Sequence, residues 1–170
     1  MIITPAEPPD LPTLLSFRQE AAAWLRGLGF DQWSRPYPAD KLSATIEAGA
    51  VFMLRDGRTT AGTITLTPDA EDGLWTGEEL AEPSMFVNKL TIARAYAGQN
   101  LGGRLLDWAD DRAHHAGAQW LRLDALDHAR SMVCGATADG MGAGVRGGSA
   151  GRRRPATRRF RQHAPAVRVR

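Results

Sequence analysis

The stretch that decides the fold runs from residue 92 to residue 125 and reads IARAYAGQNLGGRLLDWADDRAHHAGAQWLRLDA. It opens at the end of an apolar strand and passes through a glycine-containing turn into a segment with helical periodicity. Apolar and polar residues then alternate from residue 120 to residue 125, which is typical of a second strand. The stretch therefore predicts a strand, a turn, an amphipathic helix and a strand, in that order.

The turn, residues 97–103, has the composition of an anion-binding turn. Its glycines let the backbone approach a ligand closely. A strand-to-helix turn also directs unpaired N–H groups and the positive end of the helix dipole towards one point. Phosphate is the natural ligand for such a site. Because the turn has neither the Gly-Lys-Ser/Thr of a Walker loop nor the glycine spacing of a dinucleotide fingerprint, it predicts a phosphate site of another kind.

The sequence on either side supplies the other elements of one α/β domain. Asp10 is placed to cap a first helix. The apolar face of that helix comprises Leu14, Phe17, Ala21, Trp24, Leu25 and Leu28. The predicted order is strand 2–3, helix 11–28, helix 40–48, a hairpin of strands 51–54 and 60–67, an acidic connection 68–84, strand 85–92, helix 101–117 and strand 120–125. This order predicts a mixed, largely antiparallel sheet flanked by helices.

Side-chain environments follow from the same periodicities. Ile64 and Leu66 are expected on one face of their strand, and Arg122 and Asp124 are expected to point outward from theirs. His114 and His115 are expected at the surface. The residues expected to pack inside or at an edge are Leu101, Leu105, Trp108, Ala109, Ala113 and Trp120.

Composition limits the class of protein. A chain of 170 residues is long enough for one domain with a core. Cys134 is the single cysteine, and no Cys/His cluster has metal-ligand spacing, so a reducing compartment and no metal site are expected. The sequence shows neither a signal peptide nor an apolar run of about 18 residues. We therefore expect a soluble cytoplasmic protein.

Charge divides the chain into two parts. Residues 126–170 hold ten Arg against Asp127 and Asp139, about +8, which leaves about −6 for residues 1–125. The first part is the predicted domain, and the second is a tail rich in Arg, Gly and Ala with too little periodic apolar sequence to predict a fold. A basic tail attracts nucleic acid without sequence preference. Such a composition is also what GC-rich DNA yields out of frame, so nucleic acid is not the expected partner.

The turn and its flanks resemble the GNAT superfamily of N-acetyltransferases, whose signature after a central strand is Arg/Gln-x-x-Gly-x-Gly/Ala. The order strand, helix, helix, hairpin, strand is also similar, so the resemblance covers residues 2–125. The first helix, with Trp24 and Leu25 followed by Gly29 and Gln32-Trp33, resembles that of an actinobacterial-like branch of the family. Two positions depart from the signature: Ala97 replaces Arg or Gln, and Asn100 replaces the first glycine. Because Asn tolerates left-handed backbone angles, the turn is expected to survive.

The resemblance implies acetyl-CoA as cosubstrate and transfer of its acetyl group to the primary amine of a small molecule or peptide. The implied acetyl-CoA contacts are Leu90, Thr91, Ile92, Ala97, Gly98, Gln99, Asn100, Leu101, Gly102 and Gly103. Trp33 and Tyr37 either wall the amine pocket or are ordinary packing aromatics. The protein is expected to be a monomer or a homodimer.

Transfer from a thioester to an amine needs a base for the ammonium and an acid for the thiolate. Candidate bases lie in the acidic connection at Glu78, Glu79 and Glu82, and Asn88 on the central strand is placed to position a water. The alternative for each carboxylate is a solvated loop position.

After Ala125 the family pattern stops. Members of the family usually continue Ala-Trp-Thr, whereas this chain has Leu126, Asp127 and His128. One inserted cytosine converts codons for Ala-Trp-Thr-Thr into codons for Ala-Leu-Asp-His. With one permitted choice of codons, restoring the frame at residues 139–144 yields Met-Gly-Trp-Glu-Pro-Val, similar to the closing strand of the family.

A frameshift after Ala125 is one interpretation of the tail, and a genuine divergent or disordered basic tail is the other. Loss of the last family elements predicts impaired catalysis, or an acyl-CoA-binding protein without transfer. It also predicts an unpaired edge on the strand from Trp120.

Overall fold

The computed structural model describes residues 1–29, 33, 35–70, 75–126 and 153–159. The helices are α1 (Leu11–Gly27), α2 (Ala39–Glu47), α3 (Gly77–Ala81) and α4 (Leu101–His115). The strands are β1 (Ile2–Pro5), β2 (Val51–Asp56), β3 (Thr59–Thr67), β4 (Ser84–Ile92), β5 (Trp120–Leu126) and β6 (Arg153–Arg159).

The strands form one sheet in the order β1-β2-β3-β4-β5-β6. Neighbouring strands are antiparallel except β4 and β5, which are parallel. A parallel pair requires a crossover connection, and α4 supplies it. The predicted mixed, largely antiparallel sheet flanked by helices is confirmed.

Helix α4 covers one face of the sheet. Its residues Leu101, Leu105, Ala109 and Ala113 are buried in one stripe, as the helical spacing predicts. The stripe packs in a core cluster with Phe52 and Leu54 of β2 and Ile64 of β3. Outside the stripe, His114 and His115 are exposed, as predicted.

Helices α1 and α2 cover the opposite face. Val51 and Met53 alternate with Phe52 and Leu54 along β2, and they join Leu14 and Ile46 in a second core cluster. Both faces of the central strands are therefore buried. Strand β3 is buried without interruption from Ala61 to Leu66 rather than on one face, because helices cover it on both sides.

Several local details differ from the expectation. Leu28 is 48% exposed because it lies beyond the end of α1. Asp10 does not cap α1 with its side chain; its carboxylate accepts hydrogen bonds from Glu7 N–H at 2.9 Å and from Arg55. The acidic connection contains a short helix, α3, closed by a capping box between Thr76 and Glu79.

The predicted unpaired edge of β5 is also wrong. Strand β6 pairs antiparallel with β5 along its whole length, from Trp120 opposite Arg159 to Leu126 opposite Arg153. The other expectations for the tail fall on residues 127–152 and 160–170, which lie outside the described residues.

We predict that Asp10→Asn lowers the free energy of unfolding near pH 7 by about 1.5–3 kcal/mol, the range for hydrogen bonds to charged groups. Arg55 Nη2 lies 2.9 and 2.8 Å from the two carboxylate oxygens of Asp10 and ties the start of α1 to β2. Burial alone would raise the pKa of Asp10, but the hydrogen bonds from Arg55 and Glu7 outweigh it, and the net pKa is lowered.

A lowered pKa in the folded state stabilises the fold above the unfolded pKa of about 3.9, and this contribution disappears as pH falls through the folded value. Urea unfolding near pH 7 and near pH 3 should therefore show a difference between wild type and variant that shrinks in acid. The exposed Asp69→Asn is the matched control. A difference that is the same at both pH values would contradict the prediction.

Candidate functional site

The parallel strands β4 and β5 separate part of the way along their length. Their pairing runs from Ser84 opposite Trp120 to Val87 opposite Leu123 and continues no further among the described residues. Beyond Val87, β4 pairs with β3 alone, while β5 continues along β6. The gap opens at the carboxyl ends of the parallel pair, where open α/β sheets bind ligands.

A β-bulge in β4 coincides with the start of this gap. Thr65 pairs with Asn88 and Thr63 with Thr91, so Lys89 and Leu90 together stand opposite a single residue of β3. Lys89 has a left-handed backbone with φ of 53°. A left-handed L-residue costs roughly 1–2 kcal/mol, and a bulge bends its strand and increases the local twist. The bulge therefore accounts for the departure of β4 from β5.

The turn that leads from β4 into α4 has the geometry of an anion cradle. Gly98 has φ of 79° and Asn100 has φ of 54° and ψ of 27°, so asparagine adopts the left-handed turn as expected. Arg104 N–H donates to Asn100 C=O at 3.2 Å, which is the first backbone hydrogen bond of α4. The N–H groups of residues 101–103 have no intrahelical acceptor. The first turn of α4 carries no acidic side chain, so its positive end is unneutralised.

Tyr96 and Arg94 fix the start of this turn. The Tyr96 hydroxyl donates to Asp56 Oδ2 at 3.1 Å, which ties the turn to the β2–β3 hairpin. Burial, followed by the hydrogen bond to Asp56, raises the pKa of Tyr96. The Arg94 guanidinium stacks on Trp24 of α1 at 4.5 Å from the ring centroid. The cradle is therefore held from both faces of the sheet.

The predicted acetyl-CoA strand, residues 90–92, contributes to both faces of the sheet. Leu90 and Ile92 pack against the core cluster under α4, whereas Thr91 lines a cleft on the other face. Opposite Ile92, a Cβ at Gly62 would come within 2.7 Å of Ile92 Cδ1. The same Cβ would lie 3.0 Å from the Thr91 carbonyl oxygen, so glycine leaves room for β3 to pair closely with the end of β4.

The cleft lies between α1, α2 and the sheet and encloses about 400 Å³ of space that is open to solvent. Its described lining residues are Leu14, Phe17, Arg18, Trp33, Tyr37, Leu42, Val51, Thr63, Thr65, Lys89 and Thr91. The two aromatic residues predicted for an amine pocket therefore meet in one cleft. They also pack: the Arg18 guanidinium lies 5.2 Å from the Trp33 ring centroid and 4.6 Å from that of Tyr37.

Arg18 and Lys89 are the charged residues among the described lining of the cleft, and neither was expected there. The sequence did contain a signal for Arg18, because it interrupts the buried helical stripe of Leu14, Ala22 and Leu25. For Lys89 there was no such signal, since its direction depends on the bulge.

The predicted catalytic residues do not meet in this cleft. The Glu79 carboxylate accepts hydrogen bonds from Thr76 N–H at 2.9 Å and from the Thr76 hydroxyl at 3.1 Å, so it caps its own helix. Glu82 forms an ion pair with Arg122. Asn88 Nδ2 donates to Thr67 Oγ1 at 3.2 Å, beside Thr65 of the cleft lining.

Arg122 is 1% exposed and does not point outward to solvent, so that expectation is wrong. Its guanidinium donates to the Glu82 carboxylate and to the Glu79 carbonyl, and it lies between the rings of Trp75 and Trp120. Alternation along β5 correctly predicts that Arg122 lies on the opposite face of the strand from its apolar neighbours. The second face is nevertheless covered, because α3 folds over it. Arg122 thus clamps α3 to the sheet.

Within the described part of the chain, no helix has the length and apolarity needed to cross a membrane. No group of three or more His, Cys, Asp or Glu side chains among those residues is arranged to hold a metal ion.

Comparison with known proteins identifies related sequences. The model of the acetyltransferase (GNAT) family matches residues 17–133. A Bacillus subtilis (strain 168) protein described as the uncharacterized N-acetyltransferase YesJ is 30% identical over 128 residues, which cover 72% of this chain and 71% of that protein.

Solved structures share the fold. A GNAT-family acetyltransferase from Listeria monocytogenes superposes with a TM-score of 0.73 at 18% identity and covers 94% of both chains. The structure of yncA from Salmonella typhimurium with its cofactor acetyl-CoA gives a TM-score of 0.64 at 16% identity, covering 96% of this chain and 95% of that one.

We predict that Glu82→Gln lowers the free energy of unfolding by about 1–3 kcal/mol, because it leaves the buried Arg122 guanidinium without its counter-charge. Urea unfolding measures the change. Glu78→Gln is the matched control, since Glu78 is exposed in α3, which ends just before Glu82, and we expect it to stay within about 0.5 kcal/mol of wild type. A Glu82→Gln protein of unchanged stability would contradict the clamp.

Proposed function

The chain belongs to the GNAT family of acetyltransferases, which are acyltransferases with acetyl-CoA as cosubstrate, and on this premise we propose that it acetylates the primary amine of a small molecule or peptide. The observation that carries the proposal is the coincidence of three features. The gap between β4 and β5 opens beside the bulge at Lys89, and the left-handed turn at Asn100 directs the start of α4 towards the same end of the sheet.

In this proposal residues 97–103 hold the pyrophosphate of acetyl-CoA. Gly98 and Asn100 supply the left-handed turns that aim backbone N–H groups outward, and the helix dipole adds positive potential. Contacts through backbone N–H groups do not depend on the side chain at residue 97, so alanine in place of Arg or Gln is accommodated. The unpaired segment of β4, residues 90–92, lines the path of the pantetheine arm.

Acyl transfer requires the acceptor nitrogen to be neutral, after which its lone pair attacks the thioester carbonyl. A C–N bond forms, the C–S bond breaks, and the sulfur leaves as a thiolate that takes up a proton. Of the four candidate residues we favour Asn88, because Glu79 and Glu82 are occupied in holding α3 and Glu78 is exposed on that helix. Asn88 stands opposite Thr65 on the face of the sheet that lines the cleft. It positions a water that accepts the ammonium proton.

A second candidate function is acyl-CoA binding without transfer. It is favoured by one observation: the described lining of the cleft contains no carboxylate that would act as a base. Thiol release from acetyl-CoA in the presence of a panel of amines separates the two candidates. Release that depends on the amine and falls in Asn88→Ala supports transfer, whereas binding with no release supports the second function.

We also propose that the segment after Ala125 is translated out of the frame of the family. The predicted sign is an inserted nucleotide among the codons for residues 124–128, which sequencing of the gene detects. A chain with the frame restored should release thiol faster than the present chain, because it regains the last family helix and strands. An uninterrupted frame in the gene, or a restored chain of equal activity, would overturn this interpretation.

For the cofactor cradle we predict different acetyl-CoA affinities for two substitutions of equal size at Gly102. A Cβ there would meet only Leu90 Cδ2, at 3.7 Å, so both Gly102→Gln and Gly102→Glu should fold. A carboxylate in the first turn of a helix also favours the helix itself. It repels a pyrophosphate, however, so Gly102→Glu should weaken acetyl-CoA binding at least about tenfold more than Gly102→Gln, which corresponds to 1.4 kcal/mol.

Isothermal titration with acetyl-CoA measures both affinities. Absence of heat with the wild-type chain would refute the proposed cosubstrate site. Equal affinities of the two variants would refute the placement of phosphate at the start of α4.

A further inference from the structure

The described charged side chains that line the cleft beside the proposed transfer site are both cations. Arg18 and Lys89 both place their charged groups against the Tyr37 ring, with Arg18 Cζ 4.6 Å and Lys89 Nζ 4.9 Å from its centroid. Two cations held against one ring lie within about one Debye length, ~10 Å at 0.1 M salt, so they act on the same bound molecule. The aromatic ring attracts both cations through its face and holds them in the cleft.

This charge conflicts with a simple amine acceptor. A primary amine is mostly an ammonium cation near pH 7, and the Lys89 ammonium repels a second ammonium that enters the cleft. A polyamine would meet this repulsion several times over. An acceptor that carries an anionic group beside its amine is attracted instead, because the group pairs with the Lys89 ammonium.

We propose that the acceptor is a small molecule in which an oxyanion, a carboxylate or a phosphonate, lies near the primary amine, and that Lys89 binds this oxyanion. The inference rests on the proposed acetyl transfer and specifies its substrate class. Trp33 and Tyr37 flank the carbon skeleton, and the threonines of β3 and β4 offer hydroxyl groups to the polar end.

The position of Lys89 makes it the residue that orients the acceptor. It stands at the bulge where β4 leaves β5, and Thr91 two residues later still lines the cleft. An oxyanion held by Lys89 therefore lies close to the gap that admits the thioester. Lys89 has φ of 53°, and any residue with a Cβ has the same backbone strain there. Substituting Lys89 by Gln or Arg therefore changes the side-chain charge or shape without changing that strain.

The test uses paired acceptors that differ in one charge. Standard L-amino acids are compared with their carboxamides, glycine is compared with aminomethylphosphonate, and spermidine represents polycations. Thiol release from acetyl-CoA gives kcat and KM. We expect wild type to favour the carboxylate over the matching amide at least about tenfold in kcat/KM, the usual effect of one charge-assisted hydrogen bond. The glycine pair decides between carboxylate and phosphonate.

Variants then assign the charge to Lys89. Lys89→Gln should raise KM for the carboxylate acceptor about 10- to 100-fold and leave KM for the amide unchanged, whereas Lys89→Arg should retain most of the affinity. The chain has only two lysines, and the exposed Lys41 of α2 provides the control Lys41→Gln, which should match wild type.

Failure of this inference is distinguishable from failure of the proposed function. Transfer to amides or spermidine as fast as to carboxylates, or equal effects of Lys89→Gln on both, overturns the acceptor class while transfer stands. If no amine supports thiol release, the proposed acetyl transfer is wrong. The oxyanion site is then tested by the shift in melting temperature that each acceptor produces at about 10 mM. Stabilisation by carboxylates alone, lost in Lys89→Gln, supports the oxyanion site; no stabilisation by any carboxylate or phosphonate refutes it.

Discussion

The left-handed backbone of Lys89 is the constraint on which the rest of the site depends. A regular strand would keep β4 beside β5 and leave no opening between them, since a continuous ladder pairs both strands. The bulge breaks the register with β3, turns β4 away after Val87 and brings Thr91 into the cleft. Strain of roughly 1–2 kcal/mol at one residue is tolerated because both faces of the neighbouring strand β3 are buried and hold it in place. Such strain commonly marks functional positions.

Cations take opposite roles on the two sides of this opening. Arg122 is buried, paired with Glu82 and enclosed by aromatic rings, so its charge holds α3 against the sheet. Arg18 and Lys89 line a cleft that is open to solvent. A buried charge without its partner is costly, whereas a half-buried charge at the edge of a cleft keeps part of its hydration. Burial therefore separates the structural arginine from the two cations of the cleft.

The described charged side chains at the site are opposite in sign to the net charge of the domain around it. Residues 1–125 carry about −6 by sequence, yet the described charges of the cleft are positive and the start of α4 has no acidic side chain. A positive cleft in a negative domain attracts anions to one place and repels them elsewhere. Under the proposed function, the pyrophosphate of acetyl-CoA and the oxyanion of the acceptor would both be drawn to this side of the molecule.

The sequence by itself determined the parts that depend on local spacing. The buried stripe of α4 and the left-handed turn at Asn100 follow from helical periodicity and from the backbone preferences of asparagine and glycine. Tertiary structure alone decided the bulge at Lys89, the burial of Arg122 and the pairing of β5 with β6. Each of these depends on which strand or helix lies alongside, and alternation along one strand records which residues share a face but not what covers that face.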